Sequence, residues 1–231
     1  MKAVSYLEEF ARLNARPASA LQIGGFRPTN NISTSNFGRK PLALAGEKWP
    51  TWKGSPLLFV CQLNLTKAPV VPELLQDIKL MTFFVSPQGG PLQRENGKDW
   101  RLRAYKSLLN LVPLAPPDGA GRLDRGCECQ WEECVDYPTA DDPEMRVPQG
   151  YEPAELELEN LRRTKIGGYP SHIQSELWWD LRAHPANPQF CCQIDSEEKV
   201  GLQWGDRGMV YLGRGTAPGC SDRWFLDWQC Y

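Results

Sequence analysis

Between residues 2 and 14, Val4, Leu7, Phe10, Ala11 and Asn14 recur at helical spacing while Glu8, Glu9 and Arg12 fall elsewhere. That period predicts an amphipathic helix that ends before Pro17 and packs on a sheet. From Leu21 to Leu65 the chain is broken by Gly-Gly, Arg-Pro, Asn-Asn, Lys-Pro, Trp-Pro and Ser-Pro steps, then carries the apolar run Leu57-Leu58-Phe59-Val60-Cys61-Gln62-Leu63. A run of that length bounded by turn residues reads as a buried strand. A short helical stretch near Glu73 to Ile78 precedes a second strand, Leu80 to Val85, which ends at Ser86-Pro87-Gln88-Gly89-Gly90. Residues 100 to 112 alternate enough for another strand or a short helix.

After Asn160 the earlier pattern returns. Ile23-Gly24-Gly25-Phe26 matches Ile166-Gly167-Gly168-Tyr169, and Trp49 and Trp52 find counterparts in Trp178 and Trp179. Phe59-Val60-Cys61-Gln62-Leu63 matches Phe190-Cys191-Cys192-Gln193-Ile194, and Met81-Thr82-Phe83-Phe84 matches Met209-Val210-Tyr211-Leu212. Blocks in the same order with different spacing are expected when loops vary and strands keep their packing. The expected fold is α+β, predominantly antiparallel β, with two pseudo-symmetric repeats sharing a core and an N-terminal helix. The first repeat covers about residues 20–112, an acidic insertion about 116–160, and the second repeat about 164–231, in a single duplicated domain.

Composition narrows the class. A 231-residue chain with 41% hydrophobic and 23% charged residues can bury a core without disulfides, and 20 Gly with 20 Pro argue for many turns rather than a helix bundle. The longest purely apolar run is about the five residues Leu57 to Cys61, far short of the roughly 20 that cross a bilayer. Glu8 and Glu9 interrupt the stretch that a secretory signal would keep apolar. A cytoplasmic protein is expected, with no membrane partner and mainly reduced cysteines. The net charge of −2 gives no overall drive toward nucleic acid, yet it conceals an asymmetry. From Leu123 to Asn160, 12 Asp and Glu stand against only Arg125 and Arg146, a local charge of −10, which leaves about +8 on the rest of the chain.

Few motifs carry chemistry. The Gly-Gly pairs lack the Gly-Lys-Ser/Thr or helix start of a phosphate loop and read as turns that need positive φ. Gln62 and Gln193 interrupt apolar strands, where a buried amide must find partners, so they are expected to tie neighbouring loops to the sheet. Trp49, Trp52, Trp178, Trp179, Trp204, Trp224 and Trp228 are expected to complete a core rather than to form a ligand platform. Cys127, Cys129 and Cys134 resemble part of a zinc site without an evident fourth ligand, and structural thiols are the simpler reading. Neither His172 nor His184 adjoins a nucleophile motif, and Asp206 in Gly205-Asp206-Arg207-Gly208 reads as a hairpin turn. No catalytic residue, metal or cofactor is assigned, and the protein is expected to bind rather than catalyse.

The acidic segment is either a solvated loop or a negative surface that docks on a basic partner. On the second reading Trp131 and Tyr137 are aromatic anchors, with Glu132, Glu133, Asp136, Asp141, Asp142 and Glu144 as their charged surround.

The blocks Ile23-Gly24-Gly25, Trp49-Pro50, Pro56 to Leu65, Lys165 to Pro170, Cys192 to Asp195, Trp204 to Gly208 and Asp227 to Tyr231 resemble the YwqG-like family of bacterial proteins. The likeness runs over residues 20–231, with the cysteine-bearing stretch 127–134 as a departure. It implies a duplicated, strand-rich α+β fold and transfers no catalytic residues. Some proteins of this kind are found beside secreted bacterial toxins, including those of type VI secretion. The resemblance therefore implies an immunity protein that neutralises a cognate toxin with a basic surface, such as a nuclease whose groove binds phosphate. The alternative is a small-ligand or carbohydrate-binding module with a cleft between the two repeats.

Overall fold

Short apolar runs separated by Gly and Pro give strands that cannot bury both faces alone, so they assemble edge to edge and curl. The computed structural model describes residues 2–29, 31–88, 91–139, 142–148 and 158–231. Helix α1 (Lys2–Asn14) leads into β1 (Arg16–Ile23), followed by β2 (Asn36–Phe37), β3 (Leu42–Leu44) and the small hairpin β4 (Thr51–Trp52) with β5 (Ser55–Pro56). The first half continues with β6 (Leu58–Asn64), β7 (Leu80–Val85), β8 (Trp100–Tyr105) and β9 (Leu111–Pro113). Then come β10 (Cys127–Asp136), β11 (Lys165–Gly167), the short helix α2 (Trp178–Leu181), β12 (Pro188–Asp195), β13 (Met209–Gly215) and β14 (Trp224–Gln229). The α+β class expected from the pattern is the one observed. Residues 100–112, open between strand and helix, hold β8 and β9, while the helical stretch expected near residue 73 is the single 3-10 turn Glu73–Leu75.

Among the described residues, ten strands form one sheet in the order β14-β13-β12-β11-β1-β10-β2-β6-β7-β8, with every pair antiparallel. The run β2-β6-β7-β8 is matched by β11-β12-β13-β14. Each run carries a register shift at the same place, Phe59/Cys61 in one and Phe190/Cys192 in the other. Strands β1 and β10 lie at the centre, paired from Arg16↔Asp136 to Ile23↔Cys129. They are exchanged: β1, which precedes the first run in sequence, lies against β11 of the second, and β10, which precedes the second, lies against β2 of the first.

This exchange changes two expectations. The segment expected as an acidic insertion contains β10, a ten-residue strand at the middle of the sheet. The glycine blocks are also paired differently than their spelling suggests. Asn36 and Phe37 lie opposite Gln62 and Cys61, as Lys165 and Ile166 lie opposite Gln193 and Cys192. The structural counterpart of Ile166-Gly167 is therefore Phe37-Gly38, and Gly38 and Gly167 share positive φ values of 64° and 72°.

The glutamines do what buried amides require. Gln62 accepts from Leu42 N (2.8 Å) and donates to the carbonyls of Ile32 (3.0 Å) and Thr34 (2.9 Å). Gln193 accepts from Ser171 N (3.0 Å) and donates to the carbonyl of Arg163 (2.9 Å) and to Ser171 Oγ (2.9 Å). Both are fully buried, and each brackets the loop on either side of the short strand beside it.

The ends of the sheet are joined through residues 94–97, giving a nearly closed barrel. Leu226 N donates to Arg94 O (2.9 Å) and Asn96 N to Trp224 O (3.2 Å) on β14. The Asn96 amide also pairs with the backbone of Leu102 on β8, donating to its carbonyl (2.8 Å) and accepting from its N–H (3.0 Å). Closure removes two open strand edges. Inside, Phe37, Phe83, Trp100, Ile166, Val210 and Leu226 belong to one apolar core drawn from both halves. The recurring tryptophans sit against the sheet in matched clusters, Trp49 and Trp52 with Phe59 and Phe84, and Trp178 and Trp179 with Tyr211 and Phe225. No helix among the described residues is long and apolar enough to cross a membrane.

Replacing Gln193 by Leu strands the Ser171 N–H and the Arg163 carbonyl, so it should cost about 1–3 kcal/mol in chemical denaturation, with Gln62→Leu costing a similar amount. The halves are also tied by Arg214, whose guanidinium meets Asp77 at 2.6 and 3.0 Å. The hydrogen bonds from Arg214, opposed by partial burial, hold the Asp77 carboxyl down at about 2 against 3.8. A depressed carboxylate contributes stability that is complete above its unfolded value and is lost as pH falls through its folded one. Asp77→Asn should therefore lower the denaturation midpoint at pH 5–7, by an amount that shrinks as pH drops from 4 toward 2.

Candidate binding site

The end of β10 and the start of β11 are held together by a buried ion pair. Lys165 Nζ donates to Asp136 Oδ2 (2.7 Å) and to Leu161 O (2.7 Å), and both side chains are fully buried. The same carboxylate accepts from Tyr169 N (2.8 Å) and Leu161 N (2.7 Å), so its lone pairs are used on backbone that flanks β11. Burial lowers the Lys165 pKa, opposed by the charge of Asp136. The contact is close enough to dictate Gly168, where φ is +65° and an added Cβ would lie 2.8 Å from Asp136 Cβ.

This clamp fixes residues 168–172 as one wall of a hollow of about 300 Å³. A second wall is the turn 142–145, in which Met145 N donates to Asp142 O (3.0 Å). The last residue of α1, Asn14, brackets that turn, its amide pairing with both N and O of Arg146 at 2.8 Å. Arg16 at the start of β1, Asp180 on α2, and Gln189 and Phe190 on β12 complete the lining. The helix read from residues 2–14 thus acts on the site through its final side chain.

Charge in the hollow is unbalanced. Its lining carries the carboxylates of Asp142, Glu144 and Asp180, the imidazole of His172 and one guanidinium, that of Arg16, which is ion-paired with Glu144 and lies 4.0 Å from the centroid of the Tyr169 ring. Burial raises the Asp142 pKa. Partial burial, then repulsion from Asp142, Glu176 and Glu144, pushes Asp180 up to about 6. His172 places Nε2 3.8 Å from Asp142 Oδ2 and Nδ1 3.0 Å from Ser175 O. The adjacent Ser171 hydroxyl is engaged elsewhere, by Asn160, Leu161 and Gln193. Histidine and serine therefore do not form a nucleophile and base here.

The residues expected to dock a partner separate in space. Asp142 and Glu144 enter the hollow. Asp136 is buried beneath it and acts from inside, because its charge is taken up by Lys165. Trp131 is half-buried, with its indole N–H on Asn64 O (2.8 Å), and Tyr137 is half-buried with its carbonyl accepting from Asn160 Nδ2 (2.7 Å). Glu132 is ion-paired with Arg163, while Glu133 is exposed. Asp141 lies outside the described residues. Among the described residues of the acidic segment, Glu128 with Arg39 (3.0 Å), Glu132 with Arg163, Asp136 with Lys165 and Glu144 with Arg16 bring the two charge blocks of the sequence together. Arg16, Tyr169 and Asp180 had no signal of their own in the sequence, since they come from three separate segments.

The cysteines of β10 divide by strand parity. Cys127 and Cys129 point to one face and Cys134 to the other, and among the described residues no three His, Cys, Asp or Glu are grouped to hold a metal ion. All eight cysteines are free.

The pseudo-symmetric position in the first half also carries a hollow, of about 200 Å³, bounded by Arg39, Lys40 and Pro41 where the second has Gly168, Tyr169 and Pro170, and by Phe59 in place of Phe190. Its charged lining is Arg39, Lys40 and Arg122. One backbone frame supports two sites of opposite sign.

Compared with known proteins, the chain matches the family described as Domain of unknown function (DUF1963) over residues 35–213. The chain belongs to this family. The DUF1963 region begins just before β2 and reaches into β13, so it includes the first run, the second as far as β13, and the walls of the hollow at residues 142–144, 168–172 and 180, while Arg16 lies before it and β14 after it. No curated protein matches the chain.

Removing one partner of a buried ion pair leaves an uncompensated charge, so Lys165→Met should cost about 3–5 kcal/mol in denaturant unfolding. The double variant Lys165→Met with Asp136→Leu should recover part of that loss, and an equal or larger loss in the double would show that the ion pair is not what holds the wall.

Proposed function

We propose that this DUF1963 protein works by binding, and that it neutralises a basic protein partner by receiving one of its cationic side chains in the hollow between Arg16, Asp142, Glu144 and Asp180. The biological setting follows from the resemblance to the YwqG-like family: a cytoplasmic immunity protein held against a secreted bacterial toxin. The observation that supports this reading is that the hollow already stabilises a guanidinium. Arg16 lies over Tyr169 and pairs with Glu144, as cations do on aromatic faces and carboxylates. Asp142 and Asp180 line the same hollow, and their mutual repulsion is relieved when a second cation enters.

A planar donor suits this arrangement better than a point charge, because a guanidinium can stack and hydrogen-bond at once. The partner's residue is therefore expected to be an arginine. Glu132 on β10, already paired with Arg163, contributes little to affinity under this reading, which moves the centre of the interface toward residues 142–144 and 180.

Co-expression with the toxin encoded beside the gene should protect the cell and yield a stable complex. Asp180→Asn should weaken that complex. Because Asp180 ionises near 6 and a cation favours its ionised form, wild-type affinity should rise by up to about tenfold from pH 5 to pH 7, and the variant should lose most of that dependence. Charge reversal of Glu132 and Glu133 together should change affinity less than Asp142→Asn does. Absence of both protection and a complex overturns the proposal.

A further inference from the structure

The hollow of the first half reverses the chemistry of the acidic one, and its walls are fixed independently of it. It encloses about 200 Å³ bounded by Arg39, Lys40, Pro41, Trp49, Phe59 and Arg122. Pro41 O accepts from Leu114 N (2.8 Å), which ties the chain after β9 to the turn after β2. Trp49 spends its indole N–H on Leu57 O (2.7 Å) and packs edge-on against Phe84, which also packs against Phe59. Two glycines let the segment before β10 close in. An added Cβ would lie 3.0 Å from Arg125 O at Gly38 and 3.0 Å from Arg39 Cγ at Gly126. That approach puts Arg122 in the same lining as Arg39 and Lys40.

Of these three cations, one is offset. Arg39 Nη1 donates to Glu128 Oε2 (3.0 Å), and the same carboxylate accepts from Thr29 N (3.0 Å) and Thr29 Oγ1 (2.7 Å). Glu128 is spent on these contacts and does not line the hollow. The Arg39 side chain stays 29% exposed, and among the described residues its Nε and Nη2 make no hydrogen bond. Lys40 and Arg122 are exposed, and among the described residues neither side chain has an ion pair or hydrogen bond. Setting Glu128 against Arg39 leaves the charges of Lys40 and Arg122 as a surplus, with no described carboxylate in the lining. A bare anion would leave Pro41, Trp49 and Phe59 unmatched, and a neutral ring would leave the cations unmatched.

We infer that this hollow binds a small phosphate monoester carrying an aromatic ring, with the ring against Pro41, Trp49 and Phe59 and the phosphate held by Arg39, Lys40 and Arg122. A phosphate monoester carries a charge of about −1.5 to −2 at pH 7, which matches the surplus better than the single charge of a carboxylate. Guanidinium groups meet its oxygens in pairs, and an ammonium adds a point charge. The hollow lies below the roughly 300–1,000 Å³ of drug-sized sites, so it suits one ring with its phosphate rather than a dinucleotide. The site uses none of the residues of the acidic hollow and stands whether or not a basic partner binds there.

The test is calorimetric titration of the intact protein with three probes. Phenyl phosphate carries both features, methyl phosphate keeps the charge without the ring, and benzyl alcohol keeps the ring without the charge. Phenyl phosphate should bind saturably, at least about tenfold tighter than either comparator. Its affinity should fall as salt rises from about 0.05 to 0.5 M. Arg122→Gln and Lys40→Gln, both at exposed positions, should each weaken it at least about threefold. Lys67→Gln removes an exposed lysine outside the hollow and should leave the affinity unchanged. No saturable binding of phenyl phosphate, equal affinity for methyl phosphate, or a loss in Lys67→Gln as large as in Arg122→Gln overturns the inference.

Discussion

Two strands that are not neighbours, β10 and β11, are joined around β1 by Lys165 and Asp136, and much of the molecule's organisation follows from that buried pair. Desolvating two charges is costly, and it is tolerated here because the geometry leaves little unsatisfied: the carboxylate collects one ammonium and two backbone N–H groups, and the ammonium reaches a carbonyl as well. The pair thereby specifies register. Tyr169 N and Leu161 N can reach Asp136 only when β11 sits at one position against β1, and Gly168 must lack a side chain for the approach to occur. The first half has no equivalent pair; at the position of Lys165 it has Asn36, whose amide donates locally to Thr34 O (3.1 Å). The halves share a frame without sharing what locks it.

The frame itself is a matter of backbone bookkeeping. Short strands such as β2 and β11 offer few ladder bonds, and the loops around them carry polar groups into the interior. Gln62 and Gln193 answer that need with the same bonds in both halves, accepting from one loop and donating to another. Side chains outside this frame were free to diverge. The matched hollows came to carry acids in one half and bases in the other.

The charge asymmetry of the sequence has a structural use that a linear reading obscures. The acidic stretch supplies a central strand and its exit turn, and the basic remainder supplies partners for Glu128, Glu132, Asp136 and Glu144. Exposed members of that set contribute little each. Collectively they bring opposite charges of distant segments to the middle of the sheet, where β1 and β10 exchange places. Asp142, Glu144 and Asp180 line the hollow together, and these carboxylates give it its sign.

The sequence by itself determined the local features: the helix over residues 2–14, the strands at 57–63, 80–85 and their later counterparts, the recurring tryptophans, and the need of Gln62 and Gln193 for partners. These depend on periodicity and on the chemistry of single residues, which short windows contain. It also suggested the duplication, though with Ile23-Gly24 set against Ile166-Gly167, because matching letters carry no information about pairing. Tertiary structure alone decided that β1 and β10 cross to the opposite halves, that the acidic segment contains a central strand, and that Arg16 meets Glu144 across 128 positions of chain. Such contacts depend on strand order and register, which are settled by the packing of the whole barrel rather than by any one segment.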